Sequence, residues 1–338
     1  MLGIDCILFE ICNINCVHCF QLHQDSFPTK EYFEDFINKL RIATQEEIEK
    51  RNPDLIGLSI RGGELFYDNI PDEFFDYYLK VVNTIKEFNL PINIDFVSNG
   101  IYTKHDRLLD LLEKTNAKVS LSYDSCGRFT NETKKLFIKT CDLLVKENRL
   151  LDVSITLTKP TIKKYINNED DWLISSKLPI DINYYLPSKN WETLFPSDDD
   201  LYLFYKWIVD NELFQVIYLS DILDNELEPK FKIQESCGCQ NRFIFDRGIK
   251  TNKCTQYFLS VSNFNTQMTE DNYTIMDSKK GRIKRGCYCC EYNNNCKKEC
   301  WTAFNFNKNT SICPHKRIRQ YIKEKPDLLQ HYKEWKNA

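Results

Sequence analysis

Three cysteines near the start of the chain have the spacing of a metal-binding loop. Cys12, Cys16 and Cys19 form a C-x3-C-x2-C pattern. Three closely spaced thiolates can ligate three irons of a cubane cluster and leave the fourth iron open to another ligand. Zinc is the alternative, but a structural zinc takes four ligands, and His18 lies awkwardly between two of the cysteines for that role. The pattern therefore predicts an iron–sulfur cluster with one open iron.

A second short motif, Gly62-Gly63-Glu64, follows the next apolar run of the chain. Glycines let the backbone approach a neighbour closely, and a carboxylate accepts hydrogen bonds from a cationic amino group. Taken alone, the triplet fits an ordinary turn equally well.

The other dense group of cysteines lies in the last third of the chain, where nine of the 15 cysteines fall between Cys237 and Cys313. Four of them have the order Cys287-x2-Cys290-x5-Cys296-x3-Cys300. This segment has few long apolar runs, so it needs metal to hold it together. Two structural zincs in a ribbon-like module are the alternative to iron–sulfur clusters.

Composition excludes several classes of protein. The 338 residues carry a net charge of −4, which gives no general attraction to nucleic acid. No apolar run reaches the ~18 residues of a membrane span, and the first residues lack a signal-peptide pattern. We therefore expect a cytoplasmic protein with neither nucleic-acid nor membrane partners, whose cysteines bind metal rather than form disulfides.

Hydrophobic periodicity predicts alternating strands and helices over the first half of the chain. Strands are expected at 4–10, 55–60, 92–97, 118–122, 152–157 and 179–186. Helices are expected at 31–50, 72–88, 106–114, 132–146 and 162–175. Six strand–helix units predict an α/β fold, a partial (β/α)6 TIM-like barrel or a doubly wound sheet, followed by a small Cys-rich C-terminal domain.

The predicted organisation has four parts: a barrel over 1–187, a bridging region over 188–230, a Cys-rich domain over 231–315 and a C-terminal helix over 316–338, interrupted at Pro326. In both candidate folds, ligands bind at the carboxyl ends of the strands. The cysteine loop, the Gly-Gly-Glu triplet, Ser98-Asn99-Gly100 and Tyr123-Asp124-Ser125 follow strands one to four. We expect these four groups to meet at one rim.

The cysteine loop, with His18 in an aromatic position and Gly62-Gly63-Glu64 one strand later, resembles the radical S-adenosylmethionine (SAM) family. The resemblance implies a [4Fe-4S] cluster whose open iron binds SAM, and reductive cleavage of SAM to a 5′-deoxyadenosyl radical that abstracts hydrogen from a substrate. Contacts to SAM would come from Gly62, Gly63, Glu64, Ser98, Asn99, Ser122 and Thr156. Ser98 replaces the Thr of the family's T-N-G-like turn, and Ser125 replaces the Gly of its S-x-D-G-like strand end. Roles in turns or strand ends remain an equal alternative for these looser matches.

The C-terminal cysteines resemble the SPASM extension of radical SAM enzymes, which carries two auxiliary [4Fe-4S] clusters, so that three clusters are expected in all. The resemblance assigns Cys237, Cys239, Cys254 and Cys300 to the first auxiliary cluster. It assigns Cys287, Cys290, Cys296 and Cys313 to the second. Gly248 and Cys254 are one residue further apart than in the family pattern. Cys289 is left over and could replace Cys290.

SPASM relatives mostly modify peptides, and the first hypothesis is an oxidoreductase that matures a ribosomally made peptide by a thioether or carbon–carbon crosslink or by epimerisation. Sulfatase maturation and oxidation of a small alcohol are the alternatives within the class. Asp124 is a candidate general base, and Cys126 a candidate hydrogen-atom donor or attachment site. A small buried hydrophobe is the plainer interpretation of Cys126. Expected partners are the peptide, a separate leader-binding protein and an electron donor such as flavodoxin or ferredoxin. A non-catalytic zinc-binding module remains the hypothesis from another class.

Overall fold

The chain was analysed as a computed structural model. It describes residues 1–19, 21, 23, 26–185, 191–228, 242–251, 287–292, 296 and 313–338. The chain divides into two compact units. Unit 1 comprises residues 1–123, 128–152 and 238–259, and unit 2 comprises residues 124–127, 153–237 and 260–338.

The secondary structure alternates strands and helices as far as residue 184. The strands are β1 (Leu2–Ile7), β2 (Ile56–Arg61), β3 (Ile92–Ser98), β4 (Lys118–Tyr123), β5 (Leu150–Leu157), β6 (Ile180–Tyr184), β7 (Arg242–Asp246) and β8 (Ile249–Thr251). The helices are α1 (Lys30–Arg51), α2 (Glu73–Lys86), α3 (His105–Thr115), α4 (Asn131–Lys146), α5 (Lys159–Ile166), α6 (Asp171–Ser175), α7 (Trp191–Leu194), α8 (Asp198–Asp210), α9 (Ile217–Leu227), α10 (Pro314–Lys323) and α11 (Pro326–Asn337). A 3-10 turn covers Cys287–Cys289. None of the helices in the described ranges has both the length and the apolar character needed to cross a membrane.

The sheet of unit 1 has the strand order β4-β3-β2-β1-β7-β8. All its pairs are parallel except the hairpin β7–β8. Unit 1 also includes the first residues of β5. The chain that enters β5 lies beside β4, where the Val119 N–H donates to Arg149 O at 2.8 Å. The carboxyl ends of β1 to β4 therefore lie along one edge of the sheet, next to each other.

One face of this sheet is apolar and packs on helices. Phe33 of α1 stacks on Tyr77 of α2 at 4.3 Å between ring centroids, and Phe36 meets Phe245 of β7 edge-on at 4.8 Å. Such aromatic pairs bury large areas and fix the helices on the sheet.

The opposite face is polar in its middle layer. Asp5, Ser59 and Asp95 are register partners on β1, β2 and β3. Ser59 Oγ donates to Asp95 at 2.7 Å, and Arg61 donates to Asp5 at 2.9 Å. Alternating apolar and polar residues along β2 thus produce a sheet with one helix-covered face and one polar face.

Unit 2 contains the parallel pair β5–β6, with Val153 opposite Ile180. Its helices pack through aromatic rings. Tyr165 of α5 stacks on Trp207 of α8 at 5.8 Å, and Phe214 contacts Tyr332 of α11 at 5.3 Å.

The predicted α/β class with its six strand–helix units is confirmed, with three differences. The first strand ends at Ile7 rather than at residue 10, because residues 8–11 leave the sheet to contact the Gly-Gly-Glu segment. The helix expected over 162–175 is two helices, since Asn168 has a left-handed φ of 55° and Asp170 caps α6. The sequence did not indicate β7 and β8, which lie in the region expected to be Cys-rich, and β7 joins the sheet beside β1.

The predicted end of the chain is largely confirmed. A helix begins at Pro314 and is interrupted just before Pro326, as expected of a residue that cannot continue a helix. The domain boundaries given above remain a prediction.

Candidate functional site

The three N-terminal cysteines lie in the loop that follows β1. Cys12, Cys16 and Cys19 are all partly exposed, and the Cys19 N–H donates to the Cys16 carbonyl at 3.0 Å. Burial, together with the charges of Glu64, Cys16 and Cys19, raises the pKa of Cys12 to about 12, against a backbone hydrogen bond from Ile14 that lowers it. A thiol whose pKa is raised in this way loses its proton readily only when a cation binds beside it.

The chemistry of this donor set fits an iron–sulfur cluster. Three free thiols, those of Cys12, Cys16 and Cys19, lie in one short loop of the described ranges. Within those ranges, no three His, Cys, Asp or Glu side chains already form a ready-made metal site. Iron with bridging sulfide, rather than a four-ligand zinc, suits three thiolates.

The Gly-Gly-Glu segment is attached directly to the chain that enters the cysteine loop. The Gly63 N–H donates to Phe9 O at 2.9 Å, and the Glu64 N–H donates to Ile11 O at 2.8 Å. A Cβ atom on Gly63 would lie 1.9 Å from the Ile11 carbonyl oxygen. Only glycine permits this approach, so the motif positions the residue immediately before Cys12.

Glu64 is buried at the point where β2 and β3 end. Its carboxylate accepts hydrogen bonds from Ser98 Oγ at 2.8 Å, the Asn99 N–H at 2.5 Å and the Phe66 N–H at 3.1 Å. Burial raises the pKa of Glu64 to about 7, against the opposing effect of these donors. The structure thus brings together Glu64, Ser98 and Asn99, as predicted from their places after adjacent strands.

Asn99 also reaches the cysteine loop through its side chain. Its Nδ2 donates to Asn13 Oδ1 at 2.7 Å and lies 3.8 Å from Cys12 Sγ. Asn13 Nδ2 in turn donates to Ile101 O at 2.8 Å. The sequence analysis did not single out Asn13.

Arg128 is the second residue that sequence analysis missed. Its guanidinium donates to the Ser122 carbonyl at 2.6 Å, to Cys16 Sγ at 3.3 Å and to His18 Nε2 at 3.3 Å. Burial and the charge of Arg128 lower the pKa of His18 to about 3. The sequence signal that could have identified Arg128 was its position shortly after β4, a strand whose end belongs to the predicted rim.

Unit 2 holds the remaining predicted residues of the barrel. Asp124 is buried, and its Oδ1 accepts from the Cys126 N–H at 2.9 Å and from Thr161 Oγ1 at 3.1 Å. Burial raises the pKa of the half-buried Cys126 thiol, and the charge of Lys164 opposes this shift. Thr156 is half-buried on β5 opposite Asn183 of β6.

Cys287, Cys290, Cys296 and Cys313 also belong to unit 2. Burial, together with the charges of Cys313, Cys287 and Cys290, raises the pKa of Cys296 to about 12, and the charge of Arg319 opposes this rise. Cys289 is exposed. Outside the described residues lie the four cysteines expected to hold the first auxiliary cluster: Cys237, Cys239, Cys254 and Cys300.

The described parallel strands carry a three-cysteine loop after the first strand and Gly-Gly-Glu after the second. The fold matches solved structures over almost the whole chain. One is anSMEcpe with bound AdoMet, an anaerobic sulfatase-maturating enzyme of the radical SAM, SPASM type, at a TM-score of 0.66 and 15% identity over 98% of this chain and 100% of that one. Another is the same protein with AdoMet and the Cp18Cys peptide, at a TM-score of 0.65 and 16% identity over 98% and 99% of the two chains.

The predicted partial TIM-like barrel is therefore confirmed at the level of the fold. No protein-family model and no curated protein matches the sequence.

Proposed function

We propose that this chain is a radical SAM enzyme of the SPASM type that oxidises a residue within a peptide. The observation that carries the proposal is the attachment of Gly62-Gly63-Glu64 to the segment leading into Cys12, in a fold shared end to end with anSMEcpe. The cluster and SAM, when bound, supply the electron and the hydrogen-abstracting radical.

Each predicted residue has a part in this proposal. Cys12, Cys16 and Cys19 hold the SAM-binding cluster. Glu64 accepts the SAM amino group, and Gly62 and Gly63 let the backbone approach. Ser98 and Asn99 orient Glu64, while Ser122 and Thr156 complete the SAM site. The charges of Cys287, Cys290 and Cys313 that act on Cys296 support the assignment of these four cysteines to one auxiliary cluster.

Two classes of peptide substrate follow. The fold comparison favours a sulfatase-type peptide, because the similar structures include complexes with the Cp18Cys and Kp18Cys peptides. Maturation of a ribosomally made peptide, with a separate leader-binding protein, is the second candidate. For an oxidation, the bound cofactors would supply the radical that takes one hydrogen atom from the substrate and an acceptor for one electron. Asp124 would accept the proton, and the loss of two hydrogens in all would be a two-electron oxidation.

The test is anaerobic incubation of the cluster-loaded full chain with SAM, a reductant and two peptides, followed by mass spectrometry. One peptide carries a sulfatase-type Ser or Cys, and the other is the product of a short precursor gene beside this one. Loss of two hydrogens indicates oxidation or a crosslink. An unchanged mass with deuterium uptake from heavy water indicates epimerisation, for which Cys126→Ala removes the candidate hydrogen donor. A colourless, zinc-loaded preparation would sink the proposal in favour of a zinc-binding module.

A further inference from the structure

Arg128 belongs to neither motif of the sequence, yet it is joined to the cysteine loop from 112 residues away in the chain. We infer that Arg128 is a positioning residue that raises the reduction potential of the cluster on Cys12, Cys16 and Cys19, by donating a charged hydrogen bond to the Cys16 sulfur. This inference rests on the proposed function, because it takes those cysteines as the cluster ligands.

The geometry uses the planar fork that distinguishes arginine from lysine. Three nitrogens of one guanidinium meet three acceptors: Nη1 the Ser122 carbonyl, Nε the Cys16 sulfur and Nη2 the His18 ring. The short 2.6 Å bond to Ser122 anchors the side chain to the end of β4. A lysine ammonium is a single point donor and cannot span three acceptors in this way.

The same geometry gives His18 a role. A guanidinium has no acceptor and stays protonated, so Nε2 of His18 must accept and the ring proton must lie on Nδ1. His18, at the family's aromatic position, therefore helps to hold Arg128 in place and is not an iron ligand in this arrangement.

The effect on the cluster follows from charge. Reduction adds one electron from a donor of the flavodoxin or ferredoxin class and makes the cluster more negative. Hydrogen bonds to cluster sulfurs and nearby positive charge are established determinants of cluster potential. An N–H donor carrying positive charge stabilises the reduced form more than the oxidised form. Arg128 thus makes it easier for the electron to enter the cluster.

The first experiment is a redox titration of the cluster-loaded full chain monitored by electron paramagnetic resonance. The titration follows only the component of the resonance signal that changes when SAM is added. This component comes from the cluster on Cys12, Cys16 and Cys19 and not from the auxiliary clusters. In Arg128→Gln we expect the ratio of reduced to oxidised cluster at a fixed potential to fall about tenfold, equivalent to about 59 mV for one electron. Arg128→Lys should show a smaller fall.

The matched control is Arg149→Gln. Arg149 is also half-buried in unit 1, but its guanidinium donates to Asn116 Oδ1 at 2.9 Å and to Ala117 O at 3.5 Å rather than to the cysteine loop. Its potential should equal that of the wild type.

A second experiment uses the wild-type chain, so it does not depend on a variant loading iron. With 15N-labelled arginine, pulsed resonance should detect nitrogen coupling to the SAM-responsive cluster, and Arg128→Lys should lose that coupling. Absence of the coupling overturns the inference. The inference is also overturned if Arg128→Gln has the wild-type reduction potential, even if that variant binds SAM more weakly. A wild type without any SAM-responsive signal would instead refute the proposed function itself.

Discussion

Glu64 is deeply buried where β2 and β3 end, and this environment determines the pKa of its carboxyl group. Three donors from Ser98, Asn99 and Phe66 fix the carboxylate, but burial still raises its pKa to about 7. A carboxyl group poised near neutral pH is able to accept a cationic amino group only in its deprotonated form.

SAM binding should therefore depend on pH through Glu64. Below its pKa of about 7 the carboxyl is protonated, so we expect SAM affinity to fall as pH decreases, by up to about tenfold per pH unit. Glu64→Gln should bind weakly and without this dependence. The measurement is a SAM titration of the cluster's resonance signal at several pH values. The exposed Glu87→Gln serves as control, and a wild-type affinity that is flat across pH 6 to 8 (roughly one unit either side of 7) contradicts the assignment.

Gly63 is constrained by a single backbone contact, which makes its substitution informative. In Gly63→Ala the new methyl group would meet the Ile11 carbonyl at 1.9 Å, so the segment before Cys12 must move. We expect a loss of about 1–3 kcal/mol in the free energy of unfolding and reduced iron content. Urea unfolding and iron analysis measure both. Gly57→Ala, which meets only Met1 Sδ at 3.8 Å, should behave as wild type.

At the scale of elements, the β7–β8 hairpin extends the sheet beside β1 and approaches the start of the cysteine loop. Its turn residues Arg247 and Gly248 have φ values of 49° and 85°. The Arg247 N–H donates to Ile7 O at 2.9 Å, and its side chain reaches buried Glu10 at 3.2 Å. The left-handed φ of Gly248 closes the hairpin, a conformation that glycine adopts at little cost.

Removing this attachment should weaken unit 1. Arg247→Met takes a charged donor away from Glu10 and Asp246, and we expect a cost of about 1–3 kcal/mol in unfolding free energy. Arg41→Met, which removes an exposed ion pair with Glu87, should cost less than about 1 kcal/mol. Equal losses of unfolding free energy in Arg247→Met and Arg41→Met, measured by denaturant unfolding, would show that the hairpin contact is worth no more than an exposed ion pair.

At the scale of the whole molecule, Cys12, Cys16 and Cys19 lie in unit 1 and Cys296 lies in unit 2, so the clusters that these cysteines would hold should be separable by mutation. The anaerobically prepared wild type should hold about twelve irons. Cys296→Ser should lower this by about four and keep the SAM response, while Cys16→Ser should abolish the SAM response. Iron and sulfide analysis with resonance spectroscopy measures these changes. Loss of the SAM response in Cys296→Ser would mean that the two sites are not independent.

The sequence by itself determined the features that depend on residues close together in the chain. The cysteine spacing, the Gly-Gly-Glu triplet and the alternating apolar pattern predicted the thiol loop, its neighbouring motif and six strand–helix units, because local spacing dictates which side chains share a loop or a face. Even so, the first strand ends at Ile7 rather than at the predicted residue 10. Residues 8–11 instead form long-range hydrogen bonds with the Gly-Gly-Glu segment.

Only the tertiary structure decided which distant residues complete the site. The contacts of Arg128 with Cys16, of Asn99 with Asn13 and of Gly63 with Ile11 join segments that are 52 to 112 residues apart. No local pattern encodes them, because each depends on which strands become neighbours. The pairing of β7 with β1 is of the same kind: a short strand far along the chain acquires its place only when an open sheet edge is there to receive it.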